Sequence, residues 1–388
     1  MDGLKNKPMY AYLMVLVICA SAGLQGWMAL FTNFAKEVVG VNGFQIGVAQ
    51  AAREIPGFLT FMVIYLLIIM KEHRLSAWSV VLLGIGIGAT GFFTTFPGLL
   101  MTTVIMSIGF HYFETTNKSL TVQYFDKIDA PIVFARLRGY GALANIGVGA
   151  IVWMLSFLLP YRVNFLLLGI FIASAGIYML SKNPATGEGV RQQNRLVLRR
   201  KYWLYYTLNF LSGARRQIFT VFAIFLLVEK YRLAVSTIAG IYVLNYALTF
   251  LTNRYISRAI NRYGERVVLS LESASLFVLF LGYAFIESVW VAVILYVLDS
   301  IFFNFSIGLN TYLQKTADAG DLAQSTAVGF TINHISAVVI PLIGGSLWLL
   351  NWKLPFIIGA CLTAVSLYFT QKIPAHRQRR DSDTQCIE

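Results

Sequence analysis

Twelve long apolar runs fill almost the whole chain, and a short polar, basic segment near the middle divides them six and six. Crossing a bilayer as a helix takes about 20 predominantly apolar residues. In the hydrocarbon layer an α-helix satisfies its own backbone, and runs of this length and apolarity suit nothing else. Helices are expected near 9–33, 45–70, 76–96, 98–122, 131–159, 162–181, 202–229, 235–256, 266–286, 289–314, 323–348 and 353–373. The fold class is therefore an all-α polytopic membrane protein, with twelve transmembrane helices in two pseudo-symmetric six-helix bundles. Composition agrees: only 13% of residues are charged, about half the ~25% usual in a soluble domain.

The formal net charge of +13 raises nucleic acid as a partner, and the position of the charges rejects it. With the N-terminus inside, 22 of the 31 Lys and Arg fall on the cytoplasmic side and 5 outside, and the remaining 4 lie within helices. That bias fixes an orientation with both termini cytoplasmic. The partners expected are the lipid bilayer and a small-molecule substrate, with the chain acting as a monomer. The short loops suggest a bacterial inner (plasma) membrane. The first run is expected to stay uncleaved, because it continues through Trp27 to Phe31, too long for a signal-peptide core. Cys19, Cys361 and Cys386 share no spacing, so neither a disulfide framework nor a metal site is implied.

The two halves resemble each other at an offset of about 190 residues. Gly139-Tyr140 falls on Gly329-Phe330, Gly23 falls on Gly213, and the link Asp126 to Ala135 falls on Thr316 to Ser325. The expected organisation is a first bundle at 1–181, a basic cytoplasmic linker at 182–201, a second bundle at 202–373 and a cytoplasmic tail at 374–388. Between the eighth and ninth helices stands Ser257-Arg258-Ala259-Ile260-Asn261-Arg262-Tyr263-Gly264-Glu265-Arg266.

Six plus six helices, parallel repeats, a basic central loop and this motif resemble the major facilitator superfamily of secondary transporters. That family carries a Gly-x-x-x-Asp-Arg-x-Gly-Arg-type loop between helices 2 and 3, and a looser copy between helices 8 and 9. The second copy survives here, with Asn261 where the family has Asp. The first is replaced by Met70-Lys71-Glu72-His73-Arg74. The resemblance implies alternating access, in which the halves rock around a central cavity lined by helices 1, 4, 7 and 10. It implies a cytoplasmic gate motif at Asn261, Arg262, Gly264 and Arg266. It also implies no cofactor, with a proton or sodium gradient as the energy source. It names no substrate, since one fold hosts many functions.

Ionisable groups inside a membrane cost roughly 2.5–3.5 kcal/mol each on insertion scales, so they face a cavity or a partner. The fourth helix carries His111, Glu114, Thr115, Asn117 and Lys118, and spacings of three and four put 111, 114, 115 and 118 on one face. Glu114 is either half of a pinning ion pair with Lys118 or a proton-coupling carboxylate tuned by His111 and Lys118. The second helix carries Arg53 and Glu54. Arg53 lies roughly 12 Å deep at 1.5 Å per residue. It either snorkels outward or grips an anionic group with its guanidinium fork. Adjacent positions diverge by about 100°, so no direct pair with Glu54 is expected.

The seventh helix carries Arg215 and Arg216. Helical faces favour Arg216 for the cavity, because it shares a stripe with Asn209, Ser212 and Thr220. The repeat favours Arg215, because it falls on Gln25 in the first helix. Asp299 on the tenth helix is a second proton site or the partner of an arginine. Asn333 and His334 on the eleventh lie at mid-depth. Glu272, near the cytoplasmic end of the ninth, reads as a gate or loop ion pair.

The substrate-binding candidates are thus Arg53, Gln25, Lys118, Arg215, Arg216, Asn333 and His334, and the proton-coupling candidates are Glu114, His111, Glu54 and Asp299. No phosphate loop, metal constellation or nucleophile triad is present in the sequence, so enzymatic catalysis is not expected. Intramembrane cations outnumber deep carboxylates, and that surplus points to a proton-coupled transporter of a small organic anion. The alternative is a drug or secreted-metabolite efflux pump. The Gly-Pro-x-x-Gly-Gly-type run of such antiporters has no match in the fifth helix, and only a partial look-alike at Ile340 to Gly345.

Overall fold

The computed structural model describes residues 6–126, 129–184, 198–318 and 321–375. The described residues form twelve long helical segments and no strand. They are α1 (Lys7–Val39), α2 (Gly43–Ile69), α3 (Glu72–Thr90), α4 (Phe96–Tyr124), α5 (Asp129–Leu155), α6 (Tyr161–Leu180), α7 (Arg200–Glu229), α8 (Val235–Tyr263), α9 (Glu265–Phe285), α10 (Val289–Thr316), α11 (Leu322–Leu350) and α12 (Leu354–Thr370). Nine are long and apolar enough to cross a membrane by length and composition. Most of the expected central linker and nearly all of the tail lie outside the described residues.

Two helices run well past their apolar stretch. α1 extends beyond the expected residue 33 to Val39, and α8 beyond 256 to Tyr263. Apolarity marks only the part of a helix that lies in lipid. Polar residues continue the hydrogen-bond ladder in water, so hydropathy underestimates length.

Contacts divide the chain into two compact units that are not strict sequence halves. The first comprises 1–41, 52–193 and 233–246. The second comprises 42–51, 194–232 and 247–388. The opening turns of α2 therefore count with the second unit, and those of α8 with the first.

In the first unit, α3, α4 and α6 pack through small residues, as close helix contact in lipid requires. A methyl group on Gly84 would sit 2.5 Å from the Ala173 amide nitrogen of α6, so only glycine fits there. Phe34 meets Phe165 edge-on at 5.3 Å. Large apolar residues also face outward: Ile68 and Ile69 are 78% and 74% exposed. Such a band is costly in water and at home in lipid.

In the second unit, Tyr283 of α9 stacks on Phe356 of α12 at 5.1 Å. Trp348 of α11 lies against Phe222 of α7 and donates its indole N–H to Glu229 Oε2 at 2.7 Å. The turn from α8 to α9 is made at Gly264, with φ +81° and ψ 165°, a region essentially reserved for glycine.

α1 and α7, equated by the sequence repeat, each carry a π-helical segment, Ala35–Val39 and Ile218–Ala223. Such bulges add a residue to the turn and re-aim the side chains around it. The one in α7 directly follows Arg215, Arg216 and Gln217. α2 and α10 tighten to 3₁₀ geometry at Leu59–Met62 and Asn304–Ser306. In α2 this follows Pro56, which cannot donate to the helix ladder.

Candidate functional site

Each unit holds its own polar groups. In the first unit Arg53 Nη2 meets Glu54 Oε1 at 2.5 Å, with both side chains largely buried. This corrects the expectation that neighbouring helix positions diverge too far to pair. Both side chains are long and flexible, and burial removes the water that would otherwise solvate them separately. The backbone carbonyl of Arg53 accepts the Ser107 hydroxyl of α4, which ties the pair to α4.

One turn after Ser107 comes His111, buried at 6% exposure. His111 Nδ1 lies 3.8 Å from Glu114 Oε2, and Lys118 Nζ lies 2.8 Å from Glu114 Oε1. The expected cluster on α4 is thus a single chain of contacts along one face. Lys118 is half exposed and Glu114 about one-third exposed. Gln25 of α1 is buried and accepts the Tyr246 hydroxyl of α8 at 2.6 Å.

In the second unit the two adjacent arginines of α7 part company. Arg215 is 2% exposed and points into the bundle. Its Nη2 meets Glu272 Oε1 of α9 at 3.2 Å, and its Nη1 reaches the Ser273 hydroxyl at 3.5 Å. Glu272 is 1% exposed. Glu272 thus forms the expected ion pair, and the pair lies buried inside the helix bundle and not in a loop. Arg216 instead is half-buried, and its Nη2 donates to Asn333 Oδ1 of α11 at 2.7 Å. His334 is buried, with the Phe330 ring edge-on at 4.4 Å.

Asp299 of α10 completes the buried cluster around Arg215. It is 1% exposed, and neither carboxyl oxygen has a hydrogen-bond partner among the described residues. The charges of Arg215 and Glu272 both act on it, and the buried Tyr283 hydroxyl lies within its field. Glu272 and Asp299 are thus two buried carboxyls in the same part of the second unit as Arg215.

The motif between α8 and α9 sits around the Gly264 turn. Asn261 and Arg262 are exposed, and Arg262 lies over the Tyr263 ring at 5.3 Å. Arg266 donates to Gln371 Oε1 at 3.1 and 3.2 Å, and Lys315 bridges to Glu265 at 2.6 Å.

A family model for the Major Facilitator Superfamily matches residues 13–341 and again 208–385. The chain belongs to the major facilitator superfamily. Solved structures of the same fold include the nucleoside transporter NupG, at 17% identity, covering 94% of this chain and 98% of that one with a TM-score of 0.72. A bacterial homologue of the iron transporter ferroportin, in its inward-facing state, is 14% identical, with 94% and 98% covered and a TM-score of 0.75. A bacterial homologue of the human lysosomal transporter Spinster is 10% identical, with 94% and 96% covered and a TM-score of 0.74. No curated protein matches. At these identities the neighbours share the fold alone with this superfamily member. Membership and fold make it an integral membrane transporter of some solute.

Sequence reasoning missed the partners. Glu272 was visible as a carboxylate in an apolar helix, but nothing along the chain tied it to Arg215, 57 residues away.

Proposed function

We propose that this chain moves a small organic anion across a bacterial inner membrane by alternating access, coupled to protons, as a monomer with both termini cytoplasmic. The observation that carries the reading is the division of labour between adjacent arginines. Arg215 is engaged with a buried carboxylate of α9, and Arg216, half-buried, donates to Asn333 of α11 next to His334. A guanidinium offers five donors in a fixed fork suited to carboxylate or phosphate. Arg216 with Asn333 and neighbouring His334 is the anion contact. Arg53 and Lys118 are cations held by carboxylates and serve structure or gating in this reading. Asp299, sharing Arg215 with Glu272, is the proton-carrying carboxyl. Glu114, about one-third exposed, and His111 beside it are secondary candidates.

A thermal-shift screen on detergent-purified protein tests this, with anions, lipophilic cations and neutral amphiphiles as separate pools. Binding to the folded state raises its stability by RT ln(1 + [L]/Kd). A shift confined to the anion pool and lost in Arg216→Gln supports the reading. A shift confined to lipophilic cations overturns it and moves efflux to first place.

A further inference from the structure

In the first unit, three uncharged polar side chains from three helices converge. α1 and α5 run side by side in parallel register. A Cβ on Gly141 would lie 2.8 Å from Ser21 Oγ, and one on Gly26 would lie 3.1 Å from Val148 Cγ2. One turn beyond the Ser21–Gly141 contact, Gln25 therefore faces Asn145. α5 and α8 run antiparallel. A Cβ on Gly149 would lie 2.8 Å from Val243 Cγ2, and one on Gly240 would lie 3.7 Å from Trp153 Cδ1. Stepping back one turn from Gly149 and forward one turn from Val243 brings Asn145 to the level of Tyr246. Tyr246 is itself bonded to Gln25 at 2.6 Å. Two independent registers and one hydrogen bond thus place Gln25, Asn145 and Tyr246 together.

Their hydrogen-bonding capacity is not met. Gln25 is 2% exposed, and its Nε2 has no partner among the described residues. The buried Oδ1 of Asn145 has none either. The Tyr246 hydroxyl donates to Gln25 Oε1, so the Gln25 atom left over is the donor Nε2. A donor and an acceptor thus lie at one level without bonding each other. Buried polar atoms are nearly always satisfied, and each exception costs about 1–3 kcal/mol.

We propose that Gln25, Asn145 and Tyr246 form a recognition site for a neutral group of the transported solute that both donates and accepts hydrogen bonds, a hydroxyl or a carboxamide. Such a group accepts from Gln25 Nε2 and donates to Asn145 Oδ1, while Tyr246 holds the Gln25 amide in orientation. A charged group is disfavoured, because no ionised side chain belongs to the trio. The inference rests on the reading that the chain moves a small solute, but not on that solute being an anion.

The test uses full-length protein in detergent and matched probes: malate against succinate, lactate against propionate, and the neutral compounds xylitol, uridine and nicotinamide. In wild type, a hydroxyl- or amide-bearing probe binds at least tenfold more tightly than its partner lacking the group, or a neutral probe binds outright. That preference collapses in Gln25→Met and Asn145→Leu and weakens in Tyr246→Phe, which removes one oxygen and spares the packing. Arg216→Gln keeps the hydroxyl preference but loses selectivity for carboxylates, so failure of the anion reading shows separately. The proposal is overturned if no probe gains from its hydroxyl or amide, or if the preference survives Gln25→Met and Tyr246→Phe. A bridging water alone gives that second result.

Discussion

Arg215 and Glu272 meet at 3.2 Å inside the second unit, each no more than 2% exposed. The pair joins α7 to α9 through charge where both side chains are buried. Removing one member leaves the other charged and buried, which costs about 3–5 kcal/mol. Glu272→Leu and Arg215→Met should each lower Tm strongly. The double variant should recover part of the loss, because an apolar pair of similar volume strands neither charge. Thermal unfolding of the three variants in one detergent checks this. A loss in the double variant equal to the sum of the two single losses would show that the two groups act independently.

Asp299 makes a different demand. Its carboxyl has no hydrogen-bond partner among the described residues, so Asp299→Asn imitates the protonated form with little change of volume. Folding should be preserved. In proteoliposomes, accumulation driven by a pH gradient should disappear while counterflow exchange of labelled solute persists. Loss of both would point to a structural role.

For Arg216, the fork matters more than the charge. Arg216→Lys keeps the positive charge but loses planar two-point binding. Affinity for the transported anion should fall about tenfold or more in both Arg216→Lys and Arg216→Gln, with Tm changed little, since Arg216 is only half-buried. A lysine variant of undiminished affinity would reduce the arginine to a point charge.

Gly264 has φ +81° and ψ 165° at the α8–α9 turn. Gly264→Ala should destabilise by about 1–3 kcal/mol, the cost of holding a side chain in that region. The turn carries Glu265 to Lys315 and Arg266 to Gln371, so transport rate should fall along with Tm. An unchanged Tm would mean that the turn relaxes to another geometry.

Asp318 lies between α10 and α11 and accepts Lys201 Nζ at 3.0 and 3.2 Å. That hydrogen bond and charge hold its carboxyl below the usual carboxylate range. The folded form therefore binds this proton less readily than the unfolded form. Its contribution is present above the ordinary Asp value of about 3.9 and is lost as pH falls below it. Because the pair is fully exposed, the effect should be small and should vanish in high salt. Asp318→Asn should flatten the acid limb of Tm against pH at low ionic strength. An unaltered acid limb would mean that other carboxylates govern it.

The chain alone determined that this is a bundle of membrane helices, because a run of about 20 apolar residues leaves the backbone one way to satisfy itself in lipid. It also determined which helices carry polar groups and, through the Ser257 to Arg266 motif and the repeat, which superfamily it resembles. The i,i+4 contact of Glu114 with Lys118 was legible for the same reason, since helical spacing is local. Only the tertiary structure decided which of two adjacent arginines turns into the bundle. Helical faces and the repeat gave opposite answers for Arg215 and Arg216. The outcome hung on Glu272, 57 residues away. The Arg53–Glu54 pair and the convergence of Gln25, Asn145 and Tyr246 were hidden likewise. Side-chain reach and contacts between distant helices depend on packing, and packing has no signature along one chain.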